Sequence, residues 1–327
     1  MINEHLKHPN EDIQFAAARC VRQFSLRYHI AKTEAATKSL HVVVDFYMKR
    51  VLADPNAAAR RGYALALGAL SAPVLKLKLT EVVQTLVEAI HIPTSPEMQD
   101  AETRRNALEA LIEISEKMDR FSESAMSADL YRIILRGMLD ALEDYSIDNR
   151  GDVGSWVRES ALICLTRLTL HLSRRSFGEC VLTEDDMGNL IAALLKQCLE
   201  KVDKIRLVAG NMLGFLLYAD DEDTMRLSSP SACLRLRQQI ARDDRNEGQA
   251  SKSVFVNAHI PFIPHRDELL NLISPINCVH PFRWTAAPIV YDRLVPLMDK
   301  SLFRRALICG ICSSIGGLSK QVVSPQD

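Results

Sequence analysis

The feature that most limits how this chain can fold is an internal repeat. In each copy an aspartate is followed by an arginine, then by a small residue three positions later, and then by apolar residues at helical spacing. The aligned small residues are Ala17, Ala64, Ala107, Ala161, Ala209 and Ala306. Their separations are 47, 43, 54, 48 and 97 residues, so a weaker copy is expected in the last and longest interval.

A period in the forties with two helices per unit is typical of HEAT and armadillo repeats. In that architecture the aspartate caps the second helix of a pair by accepting from its unpaired backbone N–H groups. We expect the arginine to reach the capping aspartate of the next repeat, which would form a ladder of ion pairs. First helices are predicted at residues 36–53, 75–90, 129–142 and 184–199, where apolar residues recur at intervals of three and four. The sequence therefore predicts an all-α, HEAT/armadillo-type α-solenoid of about six to seven helix pairs.

Interruptions of the repeat suggest three parts. We predict a HEAT-repeat array over residues 1–218, a degenerate repeat with an irregular insertion over 219–285, and a truncated terminal helical repeat over 286–327. The middle part contains an acidic run, a polar linker and an apolar segment that prolines interrupt. Such breakers favour extended or irregular chain over helix.

Composition agrees with this class and excludes others. Thirteen glycines, thirteen prolines and 6 % aromatic residues are too few for a turn-rich all-β protein. A net charge of −1 removes the electrostatic case for general nucleic-acid or membrane-surface binding. The longest uncharged runs, at 62–75 and 306–319, have 14 residues, too few to span a bilayer. With no signal peptide visible at the start, we expect a cytoplasmic protein with neither nucleic-acid partner nor membrane insertion.

Motifs for chemistry are scarce. The sequence contains no nucleotide-binding glycine loop and no GxSxG nucleophile motif, so we predict a protein that is not an enzyme and holds no cofactor. Cys309 and Cys312 have the spacing of a thiol oxidoreductase, but their apolar helical surroundings favour two packed thiols. A zinc site that adds Cys278 and His280 would need an uncommon ligand spacing, so no metal is predicted.

The segment at residues 143–159 differs from the other connections between helices, because it combines acids, glycines, arginines and one of two tryptophans. A capped helix start would account for Asp152 as the cap, for Trp156 as a residue buried between repeats, and for Arg158. That interpretation assigns no task to the other polar residues, so a partner-binding role is also possible. The candidate partner-binding residues are Tyr145, Asp148, Arg150, Asp152, Trp156 and Arg158.

The same segment, DYSIDNRGDVGSWVRESAL at residues 144–162, resembles a signature of the tubulin-folding cofactor D family. Further similar stretches are DPNAAARRGYALALGALS (54–71), TRRNALEAL (103–111), NAHIPFIPHRDELL (257–270) and the final GGL (316–318). The resemblance extends over nearly the whole chain. Family members are larger HEAT-repeat solenoids, so we expect this chain to correspond to a portion of their C-terminal half.

This resemblance implies a non-catalytic role in tubulin folding. Family members bind β-tubulin, act with other tubulin-folding cofactors to assemble the α/β-tubulin heterodimer and stimulate its GTP hydrolysis, and bind an Arf-like small GTPase. The implied location is the cytoplasm, in association with the cytoskeleton. A generic HEAT-repeat adaptor in a cytosolic protein or nucleic-acid complex remains the alternative.

Overall fold

A computed structural model describes residues 1–30, 34–121, 126–173, 182–217, 263–272 and 287–315. The chain divides into two compact units, Met1–Leu168 and Thr169–Asp327. Within the described ranges the structure consists of helices and a single two-stranded hairpin, so the predicted all-α class is confirmed. The number of repeats stays a prediction.

The first unit is built from two layers of helices. One layer contains α2, α4 and α7, and the other contains α3, α6 and α8; α4 also packs on α3, and α6 on α7. Helix α9 begins in this unit and continues to Ser173. The bounds are α1 Ile2–Leu6, α2 Glu11–Ile30, α3 Glu34–Ala53, α4 Ala57–Ala69, α5 Ala72–Leu75, α6 Leu79–Ile90, α7 Ala101–Phe121, α8 Ala128–Asp140, β1 Ile147–Asp148, β2 Gly151–Asp152 and α9 Gly154–Ser173, with 3₁₀ turns at Pro96–Met98 and Ala141–Glu143.

The predicted first helices correspond to α3, α6 and α8, with one difference. The helix predicted at 75–90 is broken into α5 and α6. Leu75 and Leu79 are both buried on the two sides of the break. The two pieces have different neighbours: α5 packs against α2 and α7, whereas α6 packs against α3, α7 and α8.

Small residues bring helices together, as the repeat predicts. The aligned alanines in the described ranges of α4, α7, α9 and α11 are completely buried. In α4, a Cβ added to Gly68 would lie 2.8 Å from the Cα of Ala110 in α7. A Cβ added to Gly62 would collide with the carbonyl group of Leu6. The core of this unit therefore depends on backbones that approach each other closely.

The predicted aspartate caps occur in two repeats but not in all. Asp100 accepts from the backbone N–H of Thr103 at 2.9 Å, and Asp152 accepts from that of Ser155 at 3.0 Å. In the copy that begins at Asp54, the cap is instead Asn56, which accepts from the backbone N–H of Ala58. Asparagine and aspartate cap equally well, so a neighbouring asparagine can take over the role.

A polar staple that the sequence did not predict joins the two helices of several repeats. The fourth residue of the second helix donates a side-chain hydrogen bond to the backbone carbonyl six positions earlier, near the end of the preceding helix. The pairs are Gln14 with His8 (2.7 Å), Arg60 with Asp54 (2.7 Å), Arg206 with Glu200 (2.5 Å) and Arg304 with Met298 (2.9 Å). These bonds pair carbonyl groups that the helix ends leave without an intrahelical partner.

The expected ladder is present at one step. Arg61 donates to both carboxylate oxygens of Asp100 in the next repeat, at 2.9 and 2.5 Å. Arg104 does not continue the ladder to Asp152; it pairs with Asp144. In the next two copies the arginine, Arg158 or Arg206, pairs with the aspartate of its own repeat. The ladder is therefore shorter than predicted: Arg158 and Arg206 bond within the connection that leads into their own helix, and Arg104 reaches the next connection at Asp144 instead of at the capping aspartate.

The second unit contains α10 Glu184–Cys198, α11 Asp203–Leu217, α12 Arg266–Leu272, α13 Ala287–Leu294, a 3₁₀ turn at Val295–Asp299 and α14 Ser301–Ile315. Helix α10 packs on α11 and α14, and its first turn has a capping box formed by Thr183 and Asp186. Most of the predicted insertion at 219–285, with Cys278 and His280, lies outside the described residues. The three-part division therefore stays a prediction.

Two further predictions concern thiol chemistry and membrane insertion. Cys309 and Cys312 lie in α14 as partly buried free thiols, and their proposed packing stays a prediction. In the part of the chain that the structure describes, no helix is both long and apolar enough to cross a membrane.

Candidate functional site

The unusual segment folds as a small β-hairpin that leads into α9. Ile147 faces Asp152 and Asp148 faces Gly151 in an antiparallel pair, with a two-residue turn between the strands. The backbone N–H of Arg150 donates to the Asp148 carboxylate at 2.7 Å, which closes the turn. Gly151 has φ of 104°, a conformation that side chains with a Cβ rarely adopt. This local chemistry explains why the segment forms a turn instead of a longer helix.

A buried ion pair lies at the base of the hairpin and stabilises it. Asp144 is 4 % exposed and accepts from Nε of Arg104 at 2.6 Å; Arg104 is 2 % exposed. The same carboxylate accepts from the backbone N–H of Ser146 at 3.0 Å, and the Asp144 carbonyl accepts from Arg158 Nη1 at 2.7 Å. These bonds tie the base of the hairpin to α7 and α9.

Gly154 lets the hairpin lie directly on the start of α9. Its backbone N–H donates to the carbonyl oxygen of Ser146 at 2.9 Å. A Cβ at this position would lie 2.7 Å from the Ser146 nitrogen and 2.8 Å from the Asp144 carbonyl carbon. Only glycine permits this approach of two backbones.

A network of ion pairs on the solvent-exposed side of the hairpin connects it to neighbouring helices. Arg150 pairs with Asp148 at 2.7 Å and with Glu102 of α7 at 2.6 Å. Glu102 lies 3.3 Å from Arg61, which also pairs with Asp100. The hydrogen bond from Arg150 lowers the pKa of Asp148, and the hydrogen bonds to both carboxylates raise that of Arg150. The network therefore joins α4, α7 and the hairpin through alternating charges.

A double-mutant cycle with Arg150→Gln and Glu102→Gln tests the strength of this network. Because the Arg150 side chain is exposed to solvent, we expect a coupling energy below about 1 kcal/mol that decreases with salt. The measurement is urea unfolding of the wild type, both single variants and the double variant. A coupling that salt leaves unchanged would show that the pair is desolvated and would contradict this expectation.

Five of the six candidate residues fall into two groups in the structure. Arg158 is completely buried, with its guanidinium 4.2 Å from the Tyr145 ring centre, and it pairs with Asp152 at 3.0 Å. Tyr145, Asp152 and Arg158 thus hold the hairpin in place. Asp148 and Arg150 are exposed at the surface.

The expectation that Trp156 is buried between repeats is wrong. Trp156 is only partly buried, and the Arg150 guanidinium lies 4.8 Å from the centre of its ring. The ring is therefore available at the surface beside Arg150 as part of a cation–π contact. Its burial in the sequence interpretation rested on residue type alone, which does not determine exposure.

The structure also identifies a surface residue that the sequence analysis missed. Ile147 is 74 % exposed in β1, next to the candidate residues. The signal that could have found it is a single isoleucine in a polar connection, where no helical periodicity requires an apolar residue. Among the described residues, no group of three histidine, cysteine, aspartate or glutamate side chains is arranged to hold a metal ion.

A second overlooked residue is Glu109 in α7. Burial raises its pKa to about 7, with a further upward contribution from Glu113 and Glu11 and opposing ones from Arg105 and Arg167. The folded state therefore binds this proton more tightly than the unfolded chain does.

We expect Glu109 to make the stability of the first unit depend on pH. Its contribution is fully present below pH 4.5 and is lost as the pH rises through about 7. Glu109→Gln should remove this part of the pH dependence of the unfolding free energy, as measured by urea unfolding across that pH range. If the unfolding free energy depends on pH in the same way in the variant and the wild type, Glu109 is not the source of this dependence.

Comparisons with known proteins confirm the resemblance inferred from the sequence. Residues 188–326 match the family model described as tubulin folding cofactor D C terminal. The chain is 27 % identical to tubulin-specific chaperone D of Dictyostelium discoideum over 354 aligned positions, which cover 99 % of this chain and 21 % of that protein. It is 33 % identical over 79 residues to tubulin-folding cofactor D of Schizosaccharomyces pombe, covering 24 % of this chain and 7 % of that protein.

The chain spans about a fifth of the length of the Dictyostelium protein. No solved structure matches the chain.

Proposed function

We propose that this chain acts in tubulin folding, because nearly its whole length is similar to tubulin-specific chaperone D. It would be a non-catalytic scaffold that binds β-tubulin and supports assembly of the α/β-tubulin heterodimer. It would act with a partner cofactor to stimulate hydrolysis of GTP by tubulin. The further partners we propose are other tubulin-folding cofactors and an Arf-like small GTPase, and the proposed location is the cytoplasm, in association with the cytoskeleton.

The architecture of the first unit supports a scaffold role. Stacked helix pairs offer an extended surface, and polar bonds between helices restrict its internal motion. In this unit the Arg60 staple and the Arg61–Asp100 pair act in that way. A surface that is already ordered loses little conformational entropy when a partner binds. Such a surface can hold a protein subunit in a defined orientation.

We place a partner contact at the hairpin. Asp148, Arg150 and Trp156 would touch the partner, because they lie at the surface. Tyr145, Asp152 and Arg158 would act indirectly by fixing the hairpin. This assignment separates the six candidate residues by their exposure and contacts.

Binding to purified tubulin dimers tests the proposal. The immobilised chain should retain tubulin, with the full-length Dictyostelium chaperone as positive control. An Arf-like GTPase is tested in a parallel measurement. If the full-length chaperone retains tubulin and this chain does not, a direct role of the chain in tubulin binding is refuted.

Charge reversal tests the placement at the hairpin. Asp148→Arg and Arg150→Glu should weaken binding about tenfold while the chain stays folded, as judged by thermal melting. The matched control is the exposed Asp129–Arg132 pair in α8, reversed in the same way. If the hairpin variants and the control variants bind equally well, the partner contact does not lie at the hairpin.

A generic HEAT-repeat adaptor is the second candidate, because stacked helices alone do not specify a partner. If that adaptor served a nucleic-acid complex, the chain would shift DNA or RNA in a salt-dependent manner. The net charge of −1 favours the absence of such a shift.

A further inference from the structure

The most exposed large apolar side chain of the hairpin has no structural task. Ile147 is 74 % exposed, whereas an isoleucine in a strand normally packs on a core. We infer that Ile147 is the anchor of a protein–protein contact, and that the partner presents an apolar pocket bordered by basic side chains. This inference rests on the proposed function and extends it to the chemistry of the partner surface.

A single exposed isoleucine is ordinary, so the argument depends on how this one is presented. Asp144 and Arg104 tie the hairpin to the core from below, through a 2.6 Å bond between buried groups. Arg150 holds it from outside through Asp148 and Glu102. The side chain therefore stands on backbone that is ordered before binding. A preordered apolar anchor gains affinity because little entropy is lost on association.

The charges around Ile147 indicate the sign of the partner surface. Asp148 is its neighbour in the strand and pairs with Arg150. Asp148, Glu102 and Asp100 share the guanidinium groups of Arg150 and Arg61, so three carboxylates meet two arginines. The network beside Ile147 therefore carries one carboxylate in excess, and a basic rim on the partner complements this negative charge.

The binding measurement compares two exposed apolar residues of the first unit. Ile147→Ser should weaken retention of purified tubulin dimers by about tenfold, as expected for the loss of an interface anchor. Val42→Ser is the matched control, because Val42 is 67 % exposed in α3, and it should leave affinity unchanged. Rising salt should weaken the wild-type interaction. Unchanged affinity of the Ile147 variant, or binding that strengthens with salt, would overturn the inference.

A second measurement distinguishes a wrong anchor from a wrong partner. If the wild-type chain does not bind tubulin, the proposed function fails, and the anchor is tested by a photo-cross-linking amino acid at position 147 or 42 in cytosolic extract. The inference expects a product specific to position 147 whose cross-linked peptide borders an apolar pocket with lysine or arginine at its rim. Absence of a product specific to position 147, or a peptide from an acidic surface, would refute it.

Discussion

Asp144→Ala is expected to destabilise the first unit by about 3–5 kcal/mol, the cost of leaving a buried charge without its partner. Asp144 and Arg104 are 4 % and 2 % exposed and 2.6 Å apart. Removal of the carboxylate leaves the Arg104 guanidinium in the protein interior with one remaining bond, to the hydroxyl of Ser146. It also removes the acceptor for the Ser146 backbone N–H at the base of the hairpin.

Urea unfolding measures this effect, and two further variants isolate its cause. Asp148→Ala removes an exposed carboxylate of the same hairpin and should change stability little. The double variant Asp144→Ala, Arg104→Met removes both buried charges and should be more stable than Asp144→Ala alone. If the double variant is no more stable than Asp144→Ala alone, the ion pair is not the cause.

Gly154→Ala is expected to cost about 3 kcal/mol, because the added methyl group meets backbone atoms and not the flexible end of a side chain. The nearest atoms are the carbonyl group of Asp144 and the amide nitrogen of Ser146. Neither can move without breaking the hydrogen bond between Gly154 and Ser146 or the bonds of Asp144 to α7 and α9. The hairpin should therefore separate from α9, and partner binding should decrease with stability.

Gly214→Ala is the control for this substitution. Gly214 lies in α11, and among the described residues outside its own helical turns no atom lies within 4 Å of a Cβ at that position. Alanine should therefore stabilise the helix by up to about 1 kcal/mol. Urea unfolding and limited proteolysis at the hairpin measure both variants. A Gly154→Ala protein as stable and as protease-resistant as the wild type would show that the close approach is not required.

Much of the architecture could be predicted from local sequence patterns. Helical spacing placed α3, α8 and α10 to within two residues at each end. The aspartate caps at Asp100 and Asp152 followed from their positions before apolar helical runs. Helix formation and capping depend on residues within a turn or two of each other, so one sequence contains the information that they require.

The segment at 143–159 was predicted to differ from the other connections, and it forms a hairpin, but its internal organisation was not predicted. Arg158 is buried and Trp156 is partly exposed, the reverse of what residue type suggests. Arg104 pairs with Asp144 and not with the next capping aspartate. Each of these outcomes depends on which groups from two repeats meet in space, and several arginines compete for the same acceptors.

The helical class, the repeat and the place where it is interrupted could thus be predicted, because they depend on periodicity and short-range bonds. That the interruption is a hairpin, that Asp144 supports it and that Ile147 is exposed on it became apparent only in the folded unit. A residue's burial and choice of ionic partner follow from the stacking of neighbouring repeats. Residues 40 to 48 positions apart, such as Arg104 with Asp144 and Glu102 with Arg150, come into contact only in the folded unit.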